Sequence, residues 1–252
     1  MSSKLDLSKE LVGRRALVTG GSRGIGAAIA QRLLDSGANV VVAARSRSDV
    51  TPAAATFISG DVRTSEGVKA IAAEAIAALG GLDILVNNAG GSRVFPGGSP
   101  TIPDEEWQDT LALNLFAAIR LTNAVLPALR ASKAAAIVNI SSTAATMPFG
   151  PVAHYGAAKA ALDAYSRTLA VELASSGIRV NVVTPGPVAT PSADELRKTF
   201  PGIPDDAWPQ QVPLGRLGTP DDVAEVVALL ASDRGGWLTG GNYRVDGGMT
   251  AR

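Results

Sequence analysis

The sequence predicts one doubly wound α/β domain over residues 1–252, an open sheet of about seven parallel strands with helices on both faces. Two observations carry this prediction. Short β-branched runs alternate with longer helical patterns from one end of the chain to the other, the rhythm of repeated β-α-β units. The strand runs are also continuously apolar rather than alternating, as parallel strands covered on both faces are. No linker-like composition shift, internal repeat or low-complexity tract divides the chain.

In order, the predicted strands are Arg15–Thr19 (RALVT), Asn39–Ala44 (NVVVAA), Thr56–Ser59, Asp83–Asn87 (DILVN), Ala136–Ser141 (AIVNIS), Arg179–Thr184 (RVNVVT) and Asn242–Val245. Between them lie helices near Gly24–Ser36, Ser65–Leu79, Asp104–Ser132, Ala153–Ser176 and Pro220–Ala231. The first helix repeats Ile25, Ile29 and Leu33 at four-residue spacing and stops at Gly37. Two connections are long. Gly90–Pro103 is rich in Gly and Pro, and Gly186–Pro213 carries Pro187, Pro191, Pro201, Pro204, Pro209 and Pro213. Loops of that length in a compact domain commonly serve as substrate loops or lids, and 186–213 is read as one.

Composition removes several function classes. Hydrophobic residues make up 46% and charged residues 18%, enough apolar material for a sizeable core. Basic and acidic residues number 23 each, so no basic field exists for nucleic acid or an anionic membrane, and neither is expected as a partner. Cys is absent and His154 is the only histidine, which excludes thiol nucleophiles and His- or Cys-rich metal sites; no metal is expected. The first residues, 1–12, lack an apolar core of signal-peptide length. No later apolar stretch is read as reaching the roughly 18 residues of a membrane span. The expectation is a soluble cytoplasmic protein whose chemistry uses Ser, Tyr, Lys, Asn or carboxylates.

The first predicted strand runs into Thr19-Gly20-Gly21-Ser22-Arg23-Gly24-Ile25-Gly26, and a helix follows. Glycines in that context let the backbone turn tightly and approach a pyrophosphate, and the helix N-terminus attracts its charge. The alternative is a tight structural turn. A second alternative belongs to another reaction class: Gly20, Ser22 and Gly24 also satisfy the G-x-S-x-G elbow of serine hydrolases. That reading needs an acid and a histidine after Ser22, and His154 is the sole candidate.

Tyr155 and Lys159 stand four residues apart at the start of a helical pattern, so phenol and ammonium can approach one point. A fixed positive charge favours the phenolate and is expected to lower the tyrosine pKa, making Tyr155 a general acid or base. Ser142 lies 13 residues upstream, just past a strand, where parallel sheets bind ligands. Its neighbour Ser141 points away by strand alternation. His154 leaves the helix about 100° from Tyr155 and is read as an exposed or interface residue. Phe95, Pro148, Phe149, Pro187, Phe200 and Trp208 are candidate walls of an apolar pocket.

Taken together these features resemble the short-chain dehydrogenase/reductases. The resemblance covers almost the whole chain: Thr19-Gly20-x-x-x-Gly24-x-Gly26, Asp61-Val62, Asn87-Asn88-Ala89-Gly90, Asn114, Ser142, Tyr155-x-x-x-Lys159, Pro185-Gly186 with Thr190, and Val245-Asp246-Gly247-Gly248. It implies a single Rossmann-type domain and hydride transfer between a nicotinamide cofactor and a carbonyl or secondary alcohol. Tyr155 would protonate the carbonyl oxygen and Ser142 would hydrogen-bond it. Lys159 would bind the nicotinamide ribose and lower the Tyr155 pKa, and Asn114 would hold a relay water. Gly20, Ser22, Arg23, Gly24, Ile25, Gly26, Arg45, Asp61, Val62, Asn88, Ala89, Gly90, Pro185, Gly186, Val188 and Thr190 would line the cofactor, with Tyr155 and Lys159. A catalytically idle dinucleotide-binding regulator is the remaining alternative, and the intact Ser142, Tyr155 and Lys159 argue against it. Gly91-Ser92-Arg93-Val94-Phe95 departs from the Ile-Thr-Arg-Asp of many acyl-carrier-protein ketoreductases, so the substrate is read only as a carbonyl or secondary alcohol.

The cofactor expected is NADP(H). An acid that binds the ribose 2′-hydroxyl of NAD stands about 20 residues past the glycine loop, and Ala44 occupies that position. Arg45 follows it and Arg23 lies in the glycine loop, two guanidinium groups suited to a 2′-phosphate. A homotetramer, common in the resembled family, is also expected. The stretch Leu111–Leu129 carries one charge, Arg120, and the Tyr155 helix has two apolar faces. Leu162, Leu169 and Leu173 form one; Ala157, Ala160, Ala161, Ala164, Thr168 and Val171 form the other.

Overall fold

A computed structural model describes residues 6–200 and 204–251. Pro201, part of the expected lid, and Met1–Leu5 of the N-terminal reading lie outside the described residues. Seven strands form one parallel sheet: β1 (Arg15–Thr19), β2 (Asn39–Ala44), β3 (Thr56–Ser59), β4 (Ile84–Asn87), β5 (Ala136–Ile140), β6 (Arg179–Pro185) and β7 (Asn242–Val245). Their order is β3-β2-β1-β4-β5-β6-β7 and every pairing is parallel. The winding reverses between β1 and β4, which opens a crevice at their carboxyl ends.

Strand alternation sorts the core into two layers. Ala16, Val18, Val40 and Val42 pack with Ile29 and Leu33 of α1 (Gly24–Asp35) and Val223 and Val227 of the helix Pro220–Ala231. Leu17, Val41 and Ala43 face the other way, onto Ile71 of α2 (Ser65–Leu79), Leu121 and Leu169. Burial of both faces explains why the strands read as unbroken apolar runs. Helix starts follow side-chain capping rules: Thr64 Oγ1 accepts from Gly67 N at 3.0 Å, and Thr219 with Asp222 forms a capping box.

The stretch predicted as one helix from Asp104 is α3 (Asp104–Leu111), a π turn over Ala112–Phe116, and α4 (Ala117–Arg130). It is long and apolar enough to cross a membrane, which corrects the reading that no stretch reaches span length. Here Leu121, Val125 and Leu129 are buried in the core layer beside α2. A second correction concerns 186–213, read as loop. After α5 (Ala153–Ala174), this connection forms α6 (Pro191–Arg197), capped by Thr190 Oγ1 accepting from Ala193 N at 3.2 Å, and a 3-10 segment at Asp205–Gln211. The helix Pro220–Ala231 is therefore α7.

Asp83 locks the amino-terminal edge of the sheet. Its carboxylate accepts from Arg15 N, Nε and Nη2, each at 2.9 Å, and from Ser132 Oγ at 2.6 Å, tying the starts of β1 and β4 to the end of α4. Burial pushes the Asp83 carboxyl up, and the bonds from Arg15 and Ser132 outweigh it and hold the group below its ordinary value. The stabilisation is thus present at neutral pH and lost as pH falls through the carboxylate range. Asp83→Ala leaves the Arg15 amide and guanidinium without their acceptor. It should cost about 2–4 kcal/mol at neutral pH, read from the denaturation midpoint at unchanged slope.

Candidate active site

At the crevice, one hydroxyl organises the first turn. Thr19 Oγ1, at the end of β1, accepts from Asn88 N and Ala89 N, each at 3.0 Å, and donates to Val86 O at 3.3 Å. Asn88 Nδ2 donates to Thr19 O at 2.9 Å and Gly20 O at 3.3 Å, so its amide holds the glycine loop in shape. At Gly26 a Cβ would stand 2.2 Å from Gly20 O, a clash no other residue avoids. The N-cap of α1, Arg23, makes no side-chain capping bond, so the first-turn N–H groups are left without a side-chain acceptor from it. The Thr190 methyl approaches Gly24 from the opposite wall. Glycine loop, uncapped helix and Thr190 wall together fit a dinucleotide pyrophosphate.

Other expected cofactor residues gather on the same edge. Ser22 O accepts from Ser48 Oγ at 2.5 Å and Thr51 Oγ1 at 3.2 Å, folding the segment after β2 onto the glycine loop. Arg23 and Arg45 are exposed there and Ala44 is half-buried at the end of β2. Asp61 is gripped by Arg63, 2.7 Å away, whose hydrogen bonds hold the carboxyl below its ordinary value; Arg63 also reaches Asp109. Val62 and Ala89 line a small cavity, and Ile25 packs on the α1 core layer. Pro185 ends β6, Gly186 abuts Asp246, and Val188 bridges to Gly218.

Ser142, Tyr155, Lys159 and Asn114 converge. Ser142 Oγ accepts from Ala144 N at 3.2 Å and lies near enough to the Tyr155 phenol to favour its ionised form. Lys159 Nζ lies 5.8 Å from the Tyr155 ring centre and donates to Ile140 O at 2.9 Å. A Cβ on Gly90 would stand 2.8 Å from Asn114 Oδ1 and 3.2 Å from Lys159 Nζ, which puts amide and ammonium together beside one glycine. Asn114, in the π turn, brackets Gly91: Oδ1 accepts from Gly91 N at 3.1 Å, and Nδ2 donates to Gly91 O at 2.9 Å and Thr110 O at 3.0 Å. Lys159, Asn114, Asn87 and Thr19 line a cavity of about 10 Å³, room for one water. Ser141 lies against Asp163 instead, as alternation required.

Burial, rather than the neighbouring charge, dominates the tyrosine. It pushes the Tyr155 phenol above its ordinary value and the nearby Ser142 hydroxyl offsets only part, which corrects the expected lowering. Burial also brings the Lys159 ammonium down to about 8, with Asp163 opposing. At neutral pH the pair is therefore a protonated phenol beside a cation.

Three sequence readings are corrected or bounded here. His154 is fully buried rather than exposed. Both its ring nitrogens lack hydrogen-bond partners, so Ser22, itself buried, has no histidine to activate it. Among the aromatic pocket candidates, Phe149, Phe200 and Trp208 form a chain with ring centres 5.1 and 5.3 Å apart, whereas Phe95 packs on His154. Sequence reasoning missed a buried chain in which Asn87 Nδ2 donates to Asn139 Oδ1 at 2.8 Å, Asn139 Nδ2 to Ser166 Oγ at 2.8 Å, and Ser166 Oγ to Leu162 O at 2.7 Å. Its one sequence signal is an Asn in each of two adjacent, otherwise apolar strands.

Comparison with known proteins agrees with this architecture. The family model described as enoyl-(acyl carrier protein) reductase matches residues 20–250. A 3-oxoacyl-[acyl-carrier-protein] reductase of Escherichia coli (strain K12) is 39% identical over 94% of this chain and 97% of its own length. The short-chain reductase protein NovJ of Streptomyces niveus is 37% identical over 98% of this chain and 97% of its own. The ligand-free structure of Thermoplasma acidophilum aldohexose dehydrogenase superposes with a TM-score of 0.87 at 32% identity, covering 97% of this chain and 96% of that one. The chain belongs to the short-chain dehydrogenase/reductase family and is an oxidoreductase that moves a hydride between a nicotinamide dinucleotide and a carbonyl or alcohol carbon.

Proposed function

We propose that this protein is an NADP(H)-dependent carbonyl reductase acting on a small-molecule ketone or aldehyde through Asn114, Ser142, Tyr155 and Lys159. The observation that carries the reading is Lys159, one helical turn from Tyr155, with its Nζ 5.8 Å from the Tyr155 ring centre and bonded to Ile140 O just before Ser142, beside the glycine loop. The nicotinamide supplies the hydride when bound. Ser142 and Tyr155 together bind the substrate carbonyl oxygen, and the phenol, protonated at neutral pH, donates its proton as negative charge develops there. Lys159 holds a positive charge behind the phenol, offsetting the phenolate left by that transfer, and binds the cofactor ribose. A water held by Asn114 and Lys159 returns the proton to Tyr155. The expected cofactor contacts, from Gly20 to Thr190, are part of this reading, as are a lid over residues 186–213 and a cytoplasmic location.

NADPH oxidation screened over ketones, aldehydes and acyl thioesters, with esters as the hydrolase control, tests the activity. Tyr155→Phe keeps the ring and removes the transferable proton. It should lower turnover of the substrate so identified by on the order of 10²–10⁴ while cofactor binding is kept; near-normal turnover would refute the role.

Preference for NADP(H) rests on Ala44 standing where an NAD-selective acid would, with Arg23 and Arg45 exposed on the same edge. The parent should show higher kcat/KM with NADPH than with NADH. Ala44→Asp/Arg45→Ile should reduce that ratio by about 10–100-fold, the worth of a lost charge-assisted bond plus a repelling carboxylate. A parent that prefers NADH would overturn the assignment.

We also propose a homotetramer. The second face of α5 is exposed at Ala157, Ala164, Thr168 and Val171, the last 80% exposed, and Phe116 beside α4 is 42% exposed. Apolar helix faces left open by the chain's own packing favour burial against another copy. Light scattering should give about four chain masses, and a stable 25.6 kDa species at working concentration would refute the oligomer.

A further inference from the structure

The residue next to Tyr155 stands in an arrangement that the hydride-transfer chemistry leaves unused. His154 is fully buried in the first turn of α5. Its ring lies edge-on to Phe95 at 5.5 Å and to Trp107 at 6.0 Å, one from the 91–103 loop and one from α3. Neither ring nitrogen has a hydrogen-bond partner. Glu106 Oε1 of α3 stands 3.9 Å from Nε2, within reach but not bonded. The other oxygen of the same carboxylate accepts from Arg93 Nη1 at 2.9 Å, and the Arg93 guanidinium lies over the Phe95 ring at 5.7 Å. Glu106 and Arg93 are the charged groups that face this imidazole among the described residues.

The loop so gripped borders the Tyr155 site. At one end Asn114 brackets Gly91, and Gly90 abuts Lys159. Four residues on, Phe95 N donates to Pro151 O at 2.9 Å, just before α5 begins. We propose that His154, Glu106 and Arg93 form a pH-responsive clamp that holds the 91–103 loop closed over the Tyr155 site while the imidazole is neutral and releases it on protonation. His154 is thus a positioning residue; its role as such rests on the reductase reading, whereas the clamp itself does not.

The physical argument is one of burial. A neutral ring suits the aromatic sandwich, but an imidazolium there has no hydrogen-bond acceptor. It can gain one by moving about 1 Å towards Glu106, which withdraws the ring from Phe95 and competes with Arg93 for the carboxylate. Burial pushes the His154 pKa down, Glu106 raises it and Arg93 lowers it. The unfolded chain therefore takes up this proton at a higher pH than the folded one. Folding stability from this site is full above the ordinary imidazole range and falls as pH drops through it towards the folded value.

Since His154 is the only histidine, its ring resonances can be followed through a pH titration without assignment ambiguity. The amide resonances of Gly91 and Phe95 are recorded in the same NMR series on the whole protein. We expect the imidazole to titrate below a free histidine, with both amides shifting at the same midpoint. Arg93→Gln should move that midpoint up and Glu106→Gln should move it down. In His154→Phe, which keeps an aromatic ring in the sandwich, both amides should lose this titration. An ordinary imidazole midpoint with silent loop amides, or charge variants that move it in the wrong direction or not at all, would overturn the clamp. The titration needs no substrate, so a protein that reduced no carbonyl but showed these shifts would retract the reductase reading alone.

Discussion

In an all-parallel sheet every strand finishes on one edge, and the backbone groups there have lost their neighbours. At the reversal between β1 and β4 this edge is also where two loops must part to admit a ligand. Thr19 resolves the conflict by taking the amides of Asn88 and Ala89 on a single hydroxyl, while Asn88 returns its amide to the carbonyls of Thr19 and Gly20. The glycine loop and the turn after β4 are fixed relative to one another by these bonds. Asn87, Asn139 and Ser166 repeat the device one layer deeper, satisfying buried polar groups while tying β4 and β5 to the helix that carries Tyr155.

The chemistry of the site follows from how dry that helix face is. Burial favours the uncharged form of both Tyr155 and Lys159, so the phenol holds its proton and the ammonium is brought to about 8. A proton donor that stays protonated at neutral pH, with a cation one turn behind it, suits reduction of a carbonyl. The same proximity read from sequence spacing alone pointed to a lowered phenol pKa. Spacing reports the charge that can come near, whereas burial depends on what the rest of the chain packs over it.

Asn114 shows how backbone irregularity serves this site. A regular helix through Ala112–Phe116 would bond each N–H four residues back; the π turn changes that local register. The Asn114 side chain bonds across to Gly91 and back to Thr110 O, so the helix break and the loop after β4 stabilise one another. The same turn interrupts the helical stretch from Asp104 to Arg130, whose core-facing residues lie against the sheet layer of α2.

The sequence by itself determined the sheet, its two-sided burial and the identity of the converging residues. Continuous apolar runs such as NVVVAA and DILVN can be satisfied only between two covering layers, and four-residue spacing brings Tyr155 and Lys159 to one face. It also marked Ser142 over Ser141, because adjacent residues of an extended strand point apart and the 13-residue spacing to Tyr155 favours Ser142. Only the tertiary structure decided what depends on distant partners: that Asn88 serves the glycine loop, that the 186–213 connection contains α6, and that burial raises the Tyr155 pKa. His154 is the sharpest instance. Its helical angle excluded a place beside the tyrosine hydroxyl, but its burial is set by Phe95, Trp107 and Glu106, which chain folding brings together from the 91–103 loop and α3. Local periodicity constrains a residue's own direction; it carries no information about which distant segment will arrive there.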